Sequence, residues 1–127
     1  MSHEEELVKA FILPVRRERY LEFLKSPKKR AKFIAQLPHF KHFNPKFVAS
    51  IPGNQQNPTA LLKLLVGKGA GPSCWVMSED SALDGQEMDL EAALKESVGR
   101  QIGTFLSCVP GRLAYFEDEE DRYILER

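Results

Sequence analysis

Apolar positions in the first forty residues recur at helical spacing. Leu7, Val8, Phe11 and Ile12 form a stripe at i, i+1, i+4, i+5 that stops before Pro14. Ser2 followed three residues later by Glu5 has the spacing of a capping box, so the pattern predicts a short first helix. Tyr20, Leu21, Phe23 and Leu24 then lie along one side of a basic helix over 15–25. Ser26-Pro27 reads as an N-cap with proline at the first helical position, opening a third helix with Phe33, Ile34 and Leu37 inward and a stop before Pro38. The segment 38–45 is bracketed by prolines and rich in aromatics. It is too interrupted for a long helix and too apolar for a free linker, and is expected to wrap onto the core.

From residue 47 the pattern changes. Residues 47–51 suit a short strand, Pro52-Gly53 a turn, and Asn57-Pro58 the start of a helix carrying Leu61, Leu62, Leu64 and Leu65. The run from Gly67 to Pro72 ends that helix. Residues 73–77 form a β-branched and aromatic strand, and 78–87 an acidic loop. Asp89 caps a helix whose Leu90, Ala93, Leu94 and Val98 make one stripe before Gly99. Residues 104–109, 112–117 and 122–126 alternate as strands, joined by Pro110-Gly111 and by the acidic turn 117–121. If successive strands are added in one direction with right-handed crossovers, the two connecting helices fall on one sheet face, leaving the N-terminal helices to extend that layer or cover an edge. The expected fold is α+β in one domain over 1–127: a helical N-terminal part, residues ~3–37, packed with a mixed sheet of four or five strands that ends in an antiparallel meander.

Composition narrows the class. The 127 residues are 43% hydrophobic and 28% charged, as in an ordinary globular domain. No stretch approaches the ~18 consecutive apolar residues of a membrane span, and Met1 to Glu6 lacks the basic start of a secretory signal, so a cytoplasmic location and no membrane partner are expected. Cys74 and Cys108 are too few to staple the chain and sit in apolar runs, where a reduced, buried thiol is the usual occupant. Neither a cofactor nor a metal is expected.

Charge is balanced overall but not along the chain. Residues 1–50 carry eleven Lys or Arg against five Glu, and residues 51–127 seven against thirteen acids. The basic excess concentrates in 15–46, with Arg16, Arg17, Arg19, Lys28, Lys29, Arg30 and Lys32 as candidate anion-binding residues. Such a dipolar chain either attracts an anionic partner or lets its halves attract each other, within one molecule or between copies.

Other motifs point less clearly to chemistry. Gly67-Lys68-Gly69-Ala70-Gly71 lacks the spacing of a phosphate loop, and follows a helix where such a loop must open one. Asp80, Asp84, Gly85 and Glu91 match positions 1, 5, 6 and 12 of a calcium loop, but Ala82 offers no side-chain oxygen at position 3. His39 and His42, at i, i+3, have no third metal ligand nearby in sequence. Cys108 is the best candidate nucleophile, near a strand end with Arg112 four residues on, although that spacing is too short for a phosphate-cradling loop. Three readings result. The leading one is a small non-catalytic interaction or regulatory module, self-associating as a homo-oligomer or binding a protein partner through opposed charges or an exposed sheet edge. The second is an anion or nucleic-acid binder through 15–46, with Phe40, His42 and Phe43 stacking on bases. The third is a small enzyme using Cys108 or the loop 78–84, with His39 or His42 brought in by the fold.

Overall fold

The computed structural model describes residues 2–127. Helix α1 (His3–Phe11) starts where Ser2 Oγ accepts a hydrogen bond from Glu5 N. A 3₁₀ turn over Pro14–Arg16 leads into α2 (Arg17–Phe23), and α3 (Pro27–Ile34) is capped by Ser26, whose hydroxyl accepts from Lys29 N. Strand β1 (Val48–Ser50) precedes α4 (Pro58–Gly67), which Asn57 caps through Ala60 N. Strands β2 (Ser73–Ser78) and β3 (Gln86–Asp89) form a hairpin, and α5 (Leu90–Ser97) is capped by Asp89 through Ala92 N. Strands β4 (Thr104–Val109), β5 (Leu113–Glu117) and β6 (Arg122–Glu126) complete the chain. Each side-chain cap satisfies a backbone donor that the first helical turn leaves unpaired, for about 1 kcal/mol.

The architecture is α+β, but the sheet has six strands rather than four or five, and it is antiparallel throughout rather than mixed. Its order is β1-β6-β5-β4-β2-β3. A helix between two strands suggests a parallel neighbour pair. Here the helical connections join strands that are not neighbours: β6, β5 and β4 lie between β1 and β2, and β2 lies between β3 and β4. The sixth strand, β3, starts in the stretch expected to be an acidic loop and runs on to the helix cap Asp89; its Gln-Glu-Met-Asp sequence has no apolar alternation because it is an edge strand with little to bury.

Alternation assigns the two faces. Val48, Trp75, Met77, Phe105, Phe116, Tyr123 and Leu125 meet Leu7, Val8, Phe11, Ile12, Tyr20, Phe33 and Leu37 of the N-terminal layer. Cys74, Val76, Leu106, Cys108, Leu113, Tyr115 and Ile124 meet Leu61, Leu65, Leu90, Ala93 and Leu94 of α4 and α5. The connecting helices thus share one face, while the N-terminal helices cover the opposite face rather than extending that layer or covering an edge. The proline-bracketed segment does wrap onto the core. Phe40 and Phe43 are 2% and 9% exposed, with ring centroids 4.8 Å apart, and Phe43 lies 4.9 Å from Phe116 in an edge-to-face contact.

Two polar clusters hold the layers in register. Arg30 on α3 grips Glu4 of α1 (Nε to Oε1, 2.9 Å; Nη2 to Oε2, 2.7 Å) and also Asp84 of the β2–β3 turn (Nη2 to Oδ1, 2.9 Å). Trp75 Nε1 donates to Glu4 Oε2 at 2.8 Å, tying the sheet to the same carboxylate. On the other face Glu117, fully buried, accepts from Gly99 N (3.0 Å), Gln101 N (2.7 Å) and Tyr115 Oη (2.7 Å), with Arg122 Nε at 3.3 Å. A carboxylate can be buried there because donors surround it. The loop between α5 and β4 folds around this carboxylate.

Candidate functional site

The sheet separates Cys108 from His39 and His42, the histidines expected to be brought to it. Cys108 on β4 faces α4 and α5, its thiol directed at Leu106 O (3.7 Å) and pushed up to about 12 by burial. Cys74 lies on the same face, also pushed up to about 12, so neither sulfur is a thiolate near neutral pH. His39 and His42 belong to the opposite layer. His39 sits at φ +58° with its imidazole nitrogens 3.4 Å from Glu119 Oε2 and 3.6 Å from Glu120 Oε1. His42 packs against Tyr20 and Phe40, at 6.0 and 5.8 Å between centroids.

The loop 78–84 is occupied with its own architecture. Ser78 Oγ meets Thr104 Oγ1 at 2.9 Å and accepts from Asp80 N. Asp80 caps Ala82 N and pairs with Arg100 (2.7 Å), while Asp84 holds Arg30 and accepts from Ser78 N. Glu91, the last ligand position of a calcium loop, pairs instead with Lys95 at 3.3 Å. Lys68 of the glycine run bonds Glu126 at 2.8 Å. Among the described residues no group of three or more His, Cys, Asp or Glu converges on a metal position, and no helix is long and apolar enough to cross a membrane.

One pairing of a serine with a histidine escapes sequence reasoning. His3 Nδ1 lies 2.8 Å from Ser107 Oγ, its ring stacked 6.2 Å over Trp75. Burial lowers the His3 pKa against the opposing influence of Glu87 and Glu4. The arrangement has the parts of a nucleophile and base, yet Ser107 is only 2% exposed, so its hydroxyl is closed to a substrate. Nothing marks residues 3 and 107 as partners except the register that puts Ser107 opposite Trp75.

The predicted anion-binding residues divide. Arg30 is consumed by Glu4 and Asp84. Lys29 and Lys25 share Glu22, at 2.7 and 2.9 Å. Arg17 Nε donates to Ile12 O at 3.2 Å. Arg16, Arg19, Lys28 and Lys32 are not claimed by any acid among the described residues. The two charged halves of the chain therefore serve each other in part, through Arg30 with Asp84 and Lys41 with Asp121 (3.2 Å). The aromatic rings expected to stack on bases do not face outward, since Phe40 and Phe43 are core.

What remains on the surface is a contrast between the sheet edges. The β3 edge carries Glu87 and Asp89, charges that discourage a further strand. The β1 edge is Val48-Ala49-Ser50, uncharged and without proline, and among the described residues pairs only with β6. Beside it opens a groove of about 360 Å³ lined by Phe40, Lys41, Phe43, Pro45, Val48 and Tyr123. In comparison with known proteins, no family model, no curated sequence and no solved structure matches this chain.

Proposed function

We propose that the chain is a non-catalytic interaction module that associates with a second copy of itself through the outer edge of β1. The observation that carries this reading is the contrast between a guarded β3 edge and an unguarded β1 edge with a groove beside it that Val48 and Tyr123 line. Two β1 strands paired antiparallel about a two-fold axis perpendicular to the sheet would satisfy the free backbone donors and acceptors of both. That operation keeps both grooves on the same face, so the partly exposed Val48 and Tyr123 of the two copies border one trough. The buried Cys108 thiol and the sheet between it and His39 and His42 support a non-catalytic role.

The test is sedimentation velocity over a range of protein concentrations, on the native chain and on Ser50→Lys. Ser50 is exposed and lines the groove, so the lysine places a charge in the interface without disturbing the core. The expected result is a concentration-dependent dimer for the native chain and a monomer of unchanged melting temperature for the variant. A native chain that stays monomeric at high micromolar concentration would overturn the reading, as would a variant that dimerises equally well.

A further inference from the structure

Two of the cations that no acid claims among the described residues, Arg16 and Arg19, lie where the α1–α2 connection passes residue 42. Leu13 N donates to His42 O at 2.9 Å, and Ile12 forms a β-bridge with Phe43, so His42 is pinned beside the 3₁₀ turn that carries Arg16. Helical spacing sets Arg19 on the same side, one turn on from Arg16. Tyr20, whose ring lies 6.0 Å from that of His42, fixes which side of α2 the imidazole approaches. Arg19 is steadied by its guanidinium lying 5.5 Å over Phe23, while Arg17 between them turns back to the Ile12 carbonyl. Arg16 and Arg19 are exposed.

Two guanidinium groups and an imidazole without an acid repel one another. The charged and titratable groups that bear on the imidazole are Arg16, Arg19 and Tyr20, and His42 has a lowered pKa because of burial first and then Arg16 and Arg19. An anion seated between them would reverse the sign of the interaction and recruit a proton to His42.

We propose that Arg16, Arg19 and His42 form a binding site for the phosphoryl group of a small phosphorylated ligand. The guanidinium fork matches phosphate oxygens in pairs, and a protonated imidazole adds a third charged donor. A single phosphoryl group fits the site better than a nucleic-acid strand does. Phe40 and Phe43 are buried and offer no stacking face, Arg30 is locked to two carboxylates, and Lys28 and Lys32 belong to a different helix, α3. This inference is independent of the β1 edge.

The experiment is an NMR titration of the His42 ring protons, assigned by their loss in His42→Gln, in chloride and in inorganic phosphate of matched ionic strength. The expected result is a titration midpoint higher by about half a unit or more in phosphate, and no such difference in an Arg16→Gln/Arg19→Gln variant. In chloride alone that variant should already titrate higher than the native chain, which reports the proximity of the two arginines. Glycerol phosphate run in parallel distinguishes an ester from the free ion as the preferred form. Equal midpoints in the two salts would overturn the site. Salt-sensitive binding of a single-stranded oligonucleotide, with no response of His42 to phosphate, would overturn it in favour of a nucleic-acid surface.

Discussion

Replacing Glu117 by glutamine keeps the shape of the side chain and removes its charge and half of its acceptors. The native carboxylate receives Gly99 N, Gln101 N and the Tyr115 hydroxyl, and has no exposed surface. An amide accepts at its oxygen only, so Gly99 and Tyr115, which share Oε1, and Gln101, on Oε2, cannot all be served. One of the two sides must face an NH₂ group. A hydrogen bond to a charged group contributes about 1.5–3 kcal/mol, and a buried donor left without a partner costs about 1–3 kcal/mol. The lower desolvation cost of a neutral amide offsets part of this. Arg122 adds little to the loss, because it is 22% exposed and keeps Gln56 Oε1 at 2.7 Å. Glu117→Gln should therefore destabilise the fold by about 2–4 kcal/mol, lowering the urea midpoint by about 1–3 M. Hydrogen exchange should show the Gly99 and Gln101 amides losing protection beyond the global change. Tyr115→Phe alone should cost about 1 kcal/mol, and the double variant less than the sum of the two singles. A change below about 0.5 kcal/mol, with both amides still protected, would refute the view that this carboxylate organises the loop.

Three further outcomes follow from the same geometry. At Gly103 an added methyl would lie 2.5 Å from Leu37 Cβ and 2.9 Å from its carbonyl carbon, so Gly103→Ala should cost about 2–3 kcal/mol by denaturant unfolding. His3 and His42 titrate below the ordinary 6.5 when folded. The unfolded chain then binds more protons in that window, so stability rises with pH and is lost as pH falls below about 6.5. The melting temperature should drop between about pH 7.5 and about 5.5, and less so in His3→Gln. Cys74 and Cys108, raised to about 12 and buried, should resist iodoacetamide in the folded state near pH 8, and both should alkylate in guanidinium, as read by mass spectrometry.

Much of the fold is legible in residues that act locally. The four helix starts at Ser2, Ser26, Asn57 and Asp89 are visible because capping needs only a side-chain oxygen and a backbone N–H a few positions on. The meander strands are visible because each alternates and is bounded by turn residues. Strand β3 is hidden, since an edge strand carrying Glu87 and Asp89 has the pattern of a loop. Antiparallel order is hidden too, because which strands become neighbours depends on packing between segments far apart in the chain. The candidate sites show the same division. The cationic character of Arg16 and Arg19 is plain from the sequence, whereas the approach of His42 depends on the backbone bond from Leu13. Arg30 belongs to the same basic run, and only its contacts with Glu4 and Asp84 withdraw it from the surface.

The position of β6 constrains how the molecule can be made. This strand is synthesised after the other five described strands, yet it lies between β1 and β5 and, among the described residues, is the sheet's only link to β1. While the chain is being translated, β1 has no neighbour and β5 presents an open edge. The sheet therefore closes only after Arg122–Glu126 has left the ribosome, with Val48 pairing with Leu125 across most of the chain. Folding is thus a late, long-range event. A premature stop before Arg122 would release a chain with two further unpaired edges, those of β5 and β1 that β6 otherwise covers, a species suited to aggregation and proteolysis rather than to partial function.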